Sequence, residues 1–442
     1  MKIGVIGAGI SGLGAAYALK DHHQVVLFEK DARLGGHANP ITIDYDGHEI
    51  DVDTGFIVYN VRNYPNLVGL LEHLGVLSLT TDMSFAFAGR GVEWSSNFPA
   101  GVFAQKRNLL NPAFLAMLAD IRRFNSQALA DLGAGALCDL TLGGYLRLRG
   151  FGLAFEQHYL LPMGAAIWST SEAGVEAAPA ESFVRFFANH NLLQMVQPTW
   201  RTVKGTSRAY LEPLTQRLAA KVSVRPGAVE VRRSGAGVRV RSQGGDAQTF
   251  DQVIFACHSD QALALLADAD LDERAFLGAI RYAPNRAYLH RDRSLMPSRR
   301  AAWGAWNYIY RHGESRGAFP GAVTYWMNRL QHIAPDCPLF VSLNPQTPPD
   351  ERLTFAAFDY DHPQFDTPSL AAQRRFGRIQ GRGGVWYAGA WLGYGFHEDG
   401  LTAGVRVAQA LGGRAPWDFV DHRIEGGPLP GPAEALQRQA VA

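Results

Sequence analysis

Three glycines near the start of the chain have the G-x-G-x-x-G spacing: Gly7, Gly9 and Gly12. In this pattern the first glycine makes a tight turn, the second lets a phosphate approach the backbone, and the third lets a helix pack closely on a strand. The helix that follows would begin near Ile10 and Ser11. Its free N–H groups and the positive end of its dipole would face a pyrophosphate. These residues therefore predict binding of a dinucleotide.

An acidic residue follows at a suitable distance. Glu29 lies 22 residues after Gly7 and ends an apolar segment, Gln24–Phe28, that is typical of a buried strand. A carboxylate at about this spacing can bind ribose hydroxyls. We expect Glu29 and its neighbour Lys30 to contact the same ligand. The alternative is a parallel α/β domain whose glycine turn binds nothing.

A second glycine motif comes directly afterwards, in Arg33-Leu34-Gly35-Gly36-His37. Two adjacent glycines allow the backbone to pass close to a cofactor, and Arg33 offers a positive charge to phosphate. We predict that Arg33, Gly35, Gly36 and His37 line the cofactor site.

A third glycine-rich segment lies near the other end, at residues 389–404. It is typical of a strand end, a flexible turn and a helix beginning at about Leu401. The helix start would direct its positive dipole end toward an anionic part of a ligand. The predicted contacts of this segment are Gly389, Ala390, Phe396, Glu398, Asp399, Gly400 and Leu401.

The chemistry-bearing residues need elements that bring three distant segments together. We predict a discontinuous nucleotide-binding domain from residues 1–75, 205–266 and 383–412, and a second domain from residues 76–204 and 267–382. Short strands are expected near residues 222–224, 228–232, 237–241 and 252–257. Residues 108–135 are mainly helical, either as an amphipathic core helix or as a membrane-docking surface. Residues 426–442 are predicted to be a flexible tail.

The composition excludes several classes of protein. Apolar residues make up 47% of the 442 and charged residues 19%, and the formal net charge is +1, which gives no overall attraction to nucleic acid. The cysteines Cys138, Cys257 and Cys337 form no C-x-x-C pair, so neither a disulfide framework nor a metal site is expected. No secretory signal and no transmembrane helix are expected, and we predict a cytoplasmic protein.

Together, in this order, the three motifs resemble those of the flavoprotein family of amine oxidases, protoporphyrinogen oxidase and phytoene desaturases. Asp53-Thr54-Gly55-Phe56 resembles the segment beside the flavin ring in that family. Residues 203–207 resemble the glycine-rich segment by which the chain returns to the FAD domain in that family. Val229 corresponds to the position at which the backbone of family members contacts adenine. The resemblance implies an α/β fold, with a Rossmann-like FAD-binding domain and a mixed sheet-and-helix substrate domain. Gly55, Phe56 and Val229 join the predicted FAD contacts.

More narrowly, the chain is similar to predicted flavoproteins encoded beside cyclopropane-fatty-acyl-phospholipid synthases. The similar segments include residues 161–169, 306–308, 324–331, 343–345 and 395–400. This resemblance implies desaturation of a methyl-branched fatty acyl chain, a fatty-acyl methyltransferase as functional partner, and peripheral contact with a membrane. FAD should be noncovalent, because no cysteine follows Cys337. No lysine follows Lys221, whereas amine oxidases of the family typically hold a late lysine near the flavin, so amine oxidation is less favoured.

The candidate catalytic residues are His397, Glu398 and Tyr59. The first two lie in a loop that abuts the flavin in the family, and Tyr59 follows the Asp53–Phe56 segment. Each has a structural alternative: helix capping for Glu398, and packing for the tyrosine. Three functions stay open at this point: a fatty acyl desaturase, a flavin oxidase of an amine or another small molecule, and a noncatalytic FAD-binding accessory protein of a lipid methyltransferase.

Overall fold

The computed structural model describes residues 1–193, 199–310, 322–421 and 429. The predicted tail, residues 426–442, lies outside these ranges except for Leu429. The strands are β1 Lys2–Ile6, β2 Gln24–Glu29, β3 Pro40–Tyr45, β4 His48–Asp53, β5 Val58–Asn60, β6 Ser78–Thr81, β7 Phe85–Gly89, β8 Val92–Ser95, β9 Trp200–Val203, β10 Val222–Pro226, β11 Ala228–Ser234, β12 Gly237–Ser242, β13 Ala247–Phe250, β14 Gln252–Phe255, β15 Arg281–His290, β16 Trp306–Ile309, β17 Ala322–Trp326, β18 Phe340–Leu343, β19 Thr354–Gln364 and β20 Val385–Tyr387.

The structure describes fourteen α-helices, several of which follow one another without an intervening strand. They are α1 Ile10–Leu19, α2 Pro65–Leu74, α3 Pro112–Gly133, α4 Leu142–Leu148, α5 Leu153–Phe155, α6 Leu161–Trp168, α7 Glu172–Ala177, α8 Ala180–Asn189, α9 Arg208–Ala219, α10 Ser259–Leu265, α11 Leu271–Gly278, α12 Met327–Leu330, α13 Thr367–Arg375 and α14 His397–Ala410. A 3₁₀ turn at Lys106–Leu110 precedes α3, and a π turn at Glu156–Leu160 joins α5 to α6.

A five-stranded parallel sheet forms the framework of the site. Its strand order is β10-β2-β1-β14-β20, so it takes strands from the three segments that carry the glycine motifs and the short predicted strands. The central strands are almost continuously apolar and buried, as expected for a parallel sheet covered on both faces. The mixed α/β architecture confirms the predicted fold class. The domain boundaries stay a prediction.

The remaining strands form four further sheets. A seven-stranded mixed sheet has the order β19-β15-β18-β17-β16-β7-β8 and packs against the helices α3 to α8. Three small antiparallel sheets contain β11-β12-β13, β3-β4 and β5-β9-β6. Trp306 and Tyr308 lie in β16, and Tyr325 and Trp326 lie in β17.

One helix boundary differs from the prediction. Helix α14 begins at His397, four residues before the expected Leu401. The reason is a local cap: Asp399 Oδ2 accepts hydrogen bonds from the backbone N–H of Phe396 at 2.9 Å and of Tyr394 at 3.1 Å. A carboxylate in the first turn also complements the helix dipole, so the helix starts as soon as this turn can close.

Candidate functional site

The first two glycine motifs meet at the carboxyl end of the parallel sheet. The N–H of Gly35 donates to the carbonyl of Ala8 at 2.8 Å, and Gly9 and Gly35 form a parallel bridge. A Cβ on Gly36 would lie 2.9 Å from Gly9 Cα, and a Cβ on Gly7 would lie 2.7 Å from the carbonyl oxygen of Ala256. Gly7 and Gly36 also have positive φ angles, 103° and 58°. Only glycine fits this crossing of backbones without strain.

The start of α1 presents backbone donors beside this crossing. Gly9 is its N-cap and has no side chain that could accept from the first N–H groups, and the first turn carries no acidic residue. The first N–H groups of a helix have no partner inside the helix, and they carry the positive end of its dipole. Such an end suits an anion.

Glu29 stands next to the same turn. Its Oε2 accepts from the N–H of Ala8 at 2.7 Å, and its Oε1 accepts from the N–H of Asp31 at 2.9 Å. A Cβ on Gly227 would lie 2.8 Å from Lys30 Cα, so the corner between β10 and β11 reaches this point. Val229 follows that corner and is partly exposed. The structure thus brings the predicted ribose and adenine contacts close to one another.

The third motif packs directly on the first. A Cβ on Gly404 would lie 2.0 Å from the carbonyl oxygen of Ser11, and a Cβ on Gly400 would lie 2.9 Å from Ile10 Cγ2 and 3.6 Å from Ala390 Cβ. The helices α1 and α14 therefore cross at glycines. The turn before α14 is brought against the start of α1, together with Leu401, which contacts Gly14.

Arg33 is engaged within its own loop. Its guanidinium donates to the carbonyls of Gly36 at 2.8 Å and Ala38 at 3.2 Å. These bonds fix the turn that presents Gly35 and Gly36. Gly55 lies against the same turn, because a Cβ there would lie 2.0 Å from the carbonyl oxygen of His37.

His397 is held in an aromatic setting. Its ring stacks on Phe56 with centroids 4.0 Å apart, and its Nε2 shares a 2.8 Å hydrogen bond with the hydroxyl of Tyr210. Burial, together with nearby His37, lowers the pKa of His397 to about 3. Burial also raises the pKa of Tyr210 well above its usual value. Both groups are therefore neutral at pH 7.

Glu398 points to a different element. It is fully buried, and its Oε1 and Oε2 accept from the backbone N–H groups of Asn66 at 2.9 Å and Leu67 at 2.8 Å. These donors belong to the first turn of α2, which begins at Pro65. Glu398 thus caps α2 and ties it to the start of α14. Tyr59 is buried in the apolar core around the parallel sheet, and the centroid of its ring lies 6.1 Å from that of Tyr64.

Two further histidines and a tyrosine surround His37, and sequence reasoning missed them. The ring of His37 lies 6.0 Å from His258, 5.6 Å from His362 and 5.2 Å from Tyr360. Burial lowers the pKa of His37 and His258 to about 4 and that of His362 to about 3, with smaller effects from neighbouring positive groups. His258 could have been found, because it follows β14 at the ligand-binding edge of the sheet. His362 offered no such signal, since it lies within β19.

A series of aromatic contacts, here called the aromatic connection, runs from the third motif to the buried apolar residues between the seven-stranded sheet and helices α3 to α8. These buried residues are called the second apolar cluster. Phe396 stacks with Phe186 of α8 at 5.4 Å and lies 5.6 Å from the ring of His190. Phe186 in turn contacts Tyr394 at 5.5 Å and Trp168 at 4.7 Å. The side of the site that faces α6 and α8 is therefore apolar and aromatic.

Asp53 is an anchor of the site. It is buried, and its carboxylate accepts bonds from the N–H and hydroxyl of Ser207 and from the amide of Gln331 at 2.7 Å. Burial raises its pKa to about 6, although these donors act in the opposite direction. The contacts join β4, the start of α9 and α12, and so hold the segment carrying Gly55 and Phe56.

Comparison with known proteins agrees with this geometry. Residues 10–290 match the family described as flavin containing amine oxidoreductase. A segment of 107 residues is 31% identical to a "Probable zeta-carotene desaturase" of Synechococcus elongatus, and this match spans 23% of the chain and 21% of that relative. Cyclohexylamine oxidase from Brevibacterium oxydans has the same fold, with 15% identity, a TM-score of 0.64, and coverage of 92% of this chain and 98% of that chain. A fatty acid isomerase from P. acnes, described as producing CLA, shares the fold at 15% identity, with a TM-score of 0.62 and coverage of 92% and 97%.

Proposed function

This chain belongs to the family of flavin-containing amine oxidoreductases, whose cofactor is FAD, and on that premise we propose that it is an FAD-dependent desaturase of fatty acyl chains. In the proposed reaction one carbon of the chain gives up hydride, the neighbouring carbon gives up a proton that leaves to solvent through the His397–Tyr210 pair, and a C=C bond remains. Bound FAD supplies the two-electron acceptor for that hydride. The chain's residues bind the cofactor, exclude water and position the substrate.

The residues present fit FAD. The crossing of Gly7, Gly9 and Gly36 leaves space where a side chain would clash, and it lies at an uncapped helix start that suits the pyrophosphate. We assign the ribose to Glu29 and adenine to the backbone at Val229. The turn from Gly389 to Gly400 would hold the flavin end, together with Gly55 and Phe56. Noncovalent binding is proposed because the sequence has no cysteine after Cys337.

The observation that carries the substrate class is the neutral, aromatic surroundings of His397. Phe56 stacks on it, and the aromatic connection from Phe396 leads away between α6 and α8. Glu398, the acidic residue next to His397, is turned away and bonded to α2. An apolar acyl chain suits such walls, because burying it there costs no unpaired charge.

His397 and Tyr210 form a polar pair within these apolar walls. Burial makes His397 a very weak base. We therefore propose that His397 positions the reacting carbon, and that proton transfer requires His397 and Tyr210 together. The assignment of His397 as a catalytic residue stays a prediction. Glu398 has its two carboxylate oxygens bonded to α2, so its proposed role is to fix the turn.

The resemblance to proteins encoded beside cyclopropane-fatty-acyl synthases suggests a methylated acyl chain of a phospholipid as the substrate. The test is to express the chain with and without a fatty-acyl methyltransferase in a host that lacks both, and to compare acyl chains by mass spectrometry. We expect a species lighter by two hydrogens than the methylated chain. His397→Gln should keep FAD, measured by absorbance of the purified protein, and lose most of this product.

Other outcomes separate the alternatives. If no lighter species forms although the protein contains FAD, desaturation of that substrate is wrong. More methylated chain without a lighter species would favour an accessory role. Production of hydrogen peroxide from an amine would favour an amine oxidase.

A further inference from the structure

We propose that the start of α3 and the turn before it dock on an anionic lipid bilayer. The surface consists of exposed apolar side chains, here called the apolar tip: Leu109, Leu110, Pro112, Ala113, Leu115 and Ala116. Leu110 is 88% exposed and Leu109 is 50% exposed. Among the residues that the structure describes, α3 is one of two helices over 12 residues long, and none is long and apolar enough to cross a membrane.

The apolar tip is exposed because its neighbours are fixed. Gly91 of the turn between β7 and β8 accepts hydrogen bonds from the side chains of Arg107 and Gln105, and Asn108 is fully buried. These contacts anchor the 3₁₀ turn to the seven-stranded sheet. Leu109 and Leu110 are consequently held outward by ordered structure.

Helix α3 continues this division between an inner and an outer face. Asn111 caps the helix through bonds from the N–H groups of Ala113 at 3.1 Å and Phe114 at 3.4 Å. The inner face buries Phe114 and Met117 in the second apolar cluster. The outer face begins with Leu115, where a water-facing helix would ordinarily carry polar residues.

Charge selects the partner. The sequence from Trp94 to Ala119 has no acidic residue, whereas Lys106 and Arg107 stand beside the apolar tip and are exposed. Arg122 is exposed two turns along the same outer face. The next acid, Asp120, is bonded to Arg123 and to the N–H of Gly152. Leucines flanked by basic residues are the composition of surfaces that lie in the headgroup region of anionic bilayers.

A second copy of the chain is a poorer fit for the same surface. In a two-fold dimer the patch would face itself, which would bring Lys106, Arg107 and Arg122 of both copies together without an acidic group between them. An anionic headgroup layer supplies the missing negative charge, and the acyl region accepts the leucines. The inference is independent of the proposed acyl substrate, although a phospholipid substrate would give the docking a purpose.

The experiment is flotation of the purified FAD-containing protein with vesicles of phosphatidylcholine alone or mixed with phosphatidylglycerol. We expect binding to the mixed vesicles, weaker binding at high salt, and little binding to phosphatidylcholine alone. The double variant Leu109→Ser/Leu110→Ser should bind the mixed vesicles at least about tenfold more weakly than the wild type, because two exposed leucines no longer enter the bilayer. Lys106→Gln/Arg122→Gln should lose the preference for phosphatidylglycerol.

The matched control is Leu271→Ser, since Leu271 is 86% exposed but begins α11, far along the chain from the apolar tip. It should bind vesicles as the wild type does, and all variants should retain FAD. The proposal is overturned if the wild type does not float, or if the leucine double variant floats equally well. It is also overturned if the wild type is a dimer that the double variant dissociates while neither binds vesicles. Lipid profiling tests the desaturase separately, so either proposal can fail alone.

Discussion

Replacing Glu398 by Gln separates a structural from a catalytic role for this residue. In the structure each carboxylate oxygen accepts one backbone N–H from the first turn of α2. An amide of the same shape keeps one acceptor and places an NH₂ group against the second donor. The fully buried N–H then loses its partner.

The magnitude follows from these two bonds. A hydrogen bond to a charged group contributes about 1.5–3 kcal/mol, and a buried donor left without an acceptor costs about 1–3 kcal/mol. We therefore expect Glu398→Gln to lower the free energy of unfolding by about 2–3 kcal/mol. Glu398→Ala removes both bonds and leaves a cavity, and it should cost roughly 4–5 kcal/mol.

The assay is urea unfolding of the purified protein, followed by far-UV circular dichroism and by flavin fluorescence. Glu72→Gln is the matched control, because Glu72 is exposed on the same helix and its replacement should change stability by less than about 0.5 kcal/mol. If Glu398→Gln unfolds at the wild-type urea concentration but loses turnover, the capping argument is wrong and a catalytic role is favoured.

Three other changes test the site. Asp53→Asn should remove a pH dependence of stability. Burial raises the folded-state pKa of Asp53 from 3.8 to about 6, so the protonated carboxyl stabilises the folded wild type at low pH. This stabilisation is lost as the pH rises from about 4 to 6. Thermal unfolding at pH 4 to 7 should show this difference between variant and wild type, and parallel curves would contradict it. Gly404→Ala should abolish FAD retention or folding, because the new Cβ would lie 2.0 Å from the carbonyl oxygen of Ser11. Gly133→Ala is the control: a Cβ at this position has no neighbouring atom within 4 Å, so the variant should keep the flavin absorbance of the wild type. Tyr210→Phe should lower the free energy of unfolding by about 1–3 kcal/mol, since His397 Nε2 loses its 2.8 Å partner; an unchanged urea midpoint would show that this bond contributes little.

The sequence was sufficient for those parts of the site that depend on local backbone geometry. The glycine spacing of the first motif and the apolar strands on either side predict a strand, a turn and a helix, and each of these forms as expected. The strands near residues 222, 228, 237 and 252 were found in the same way. Periodicity and turn chemistry are properties of neighbouring residues, which a single sequence displays.

Periodicity and turn chemistry do not predict which residues from distant segments come into contact. The rings of His258 and His362 meet His37 although they lie more than 200 residues from it along the chain. The direction of the Glu398 side chain depends on where α2 packs, and no local pattern gives that position. The early start of α14 depends on the bond between the N–H of Phe396 and Asp399, and a glycine-rich sequence gives no local sign of where such a cap closes.

The strand order of the parallel sheet has a consequence for synthesis on the ribosome. β1 is central, yet its neighbour β14 and the edge strand β20 follow about 250 and 380 residues later in the chain. At about 5–20 residues per second, β20 emerges roughly 20–80 s after β1. Until β14 emerges to pair with β1, roughly 12–50 s after it at the same rate, β1 and β2 expose apolar faces and an unpaired edge, which is the state that chaperones protect. Because α14 must then pack on the glycines of α1, the cofactor cradle is expected to close only after α14, which ends at Ala410, has been made.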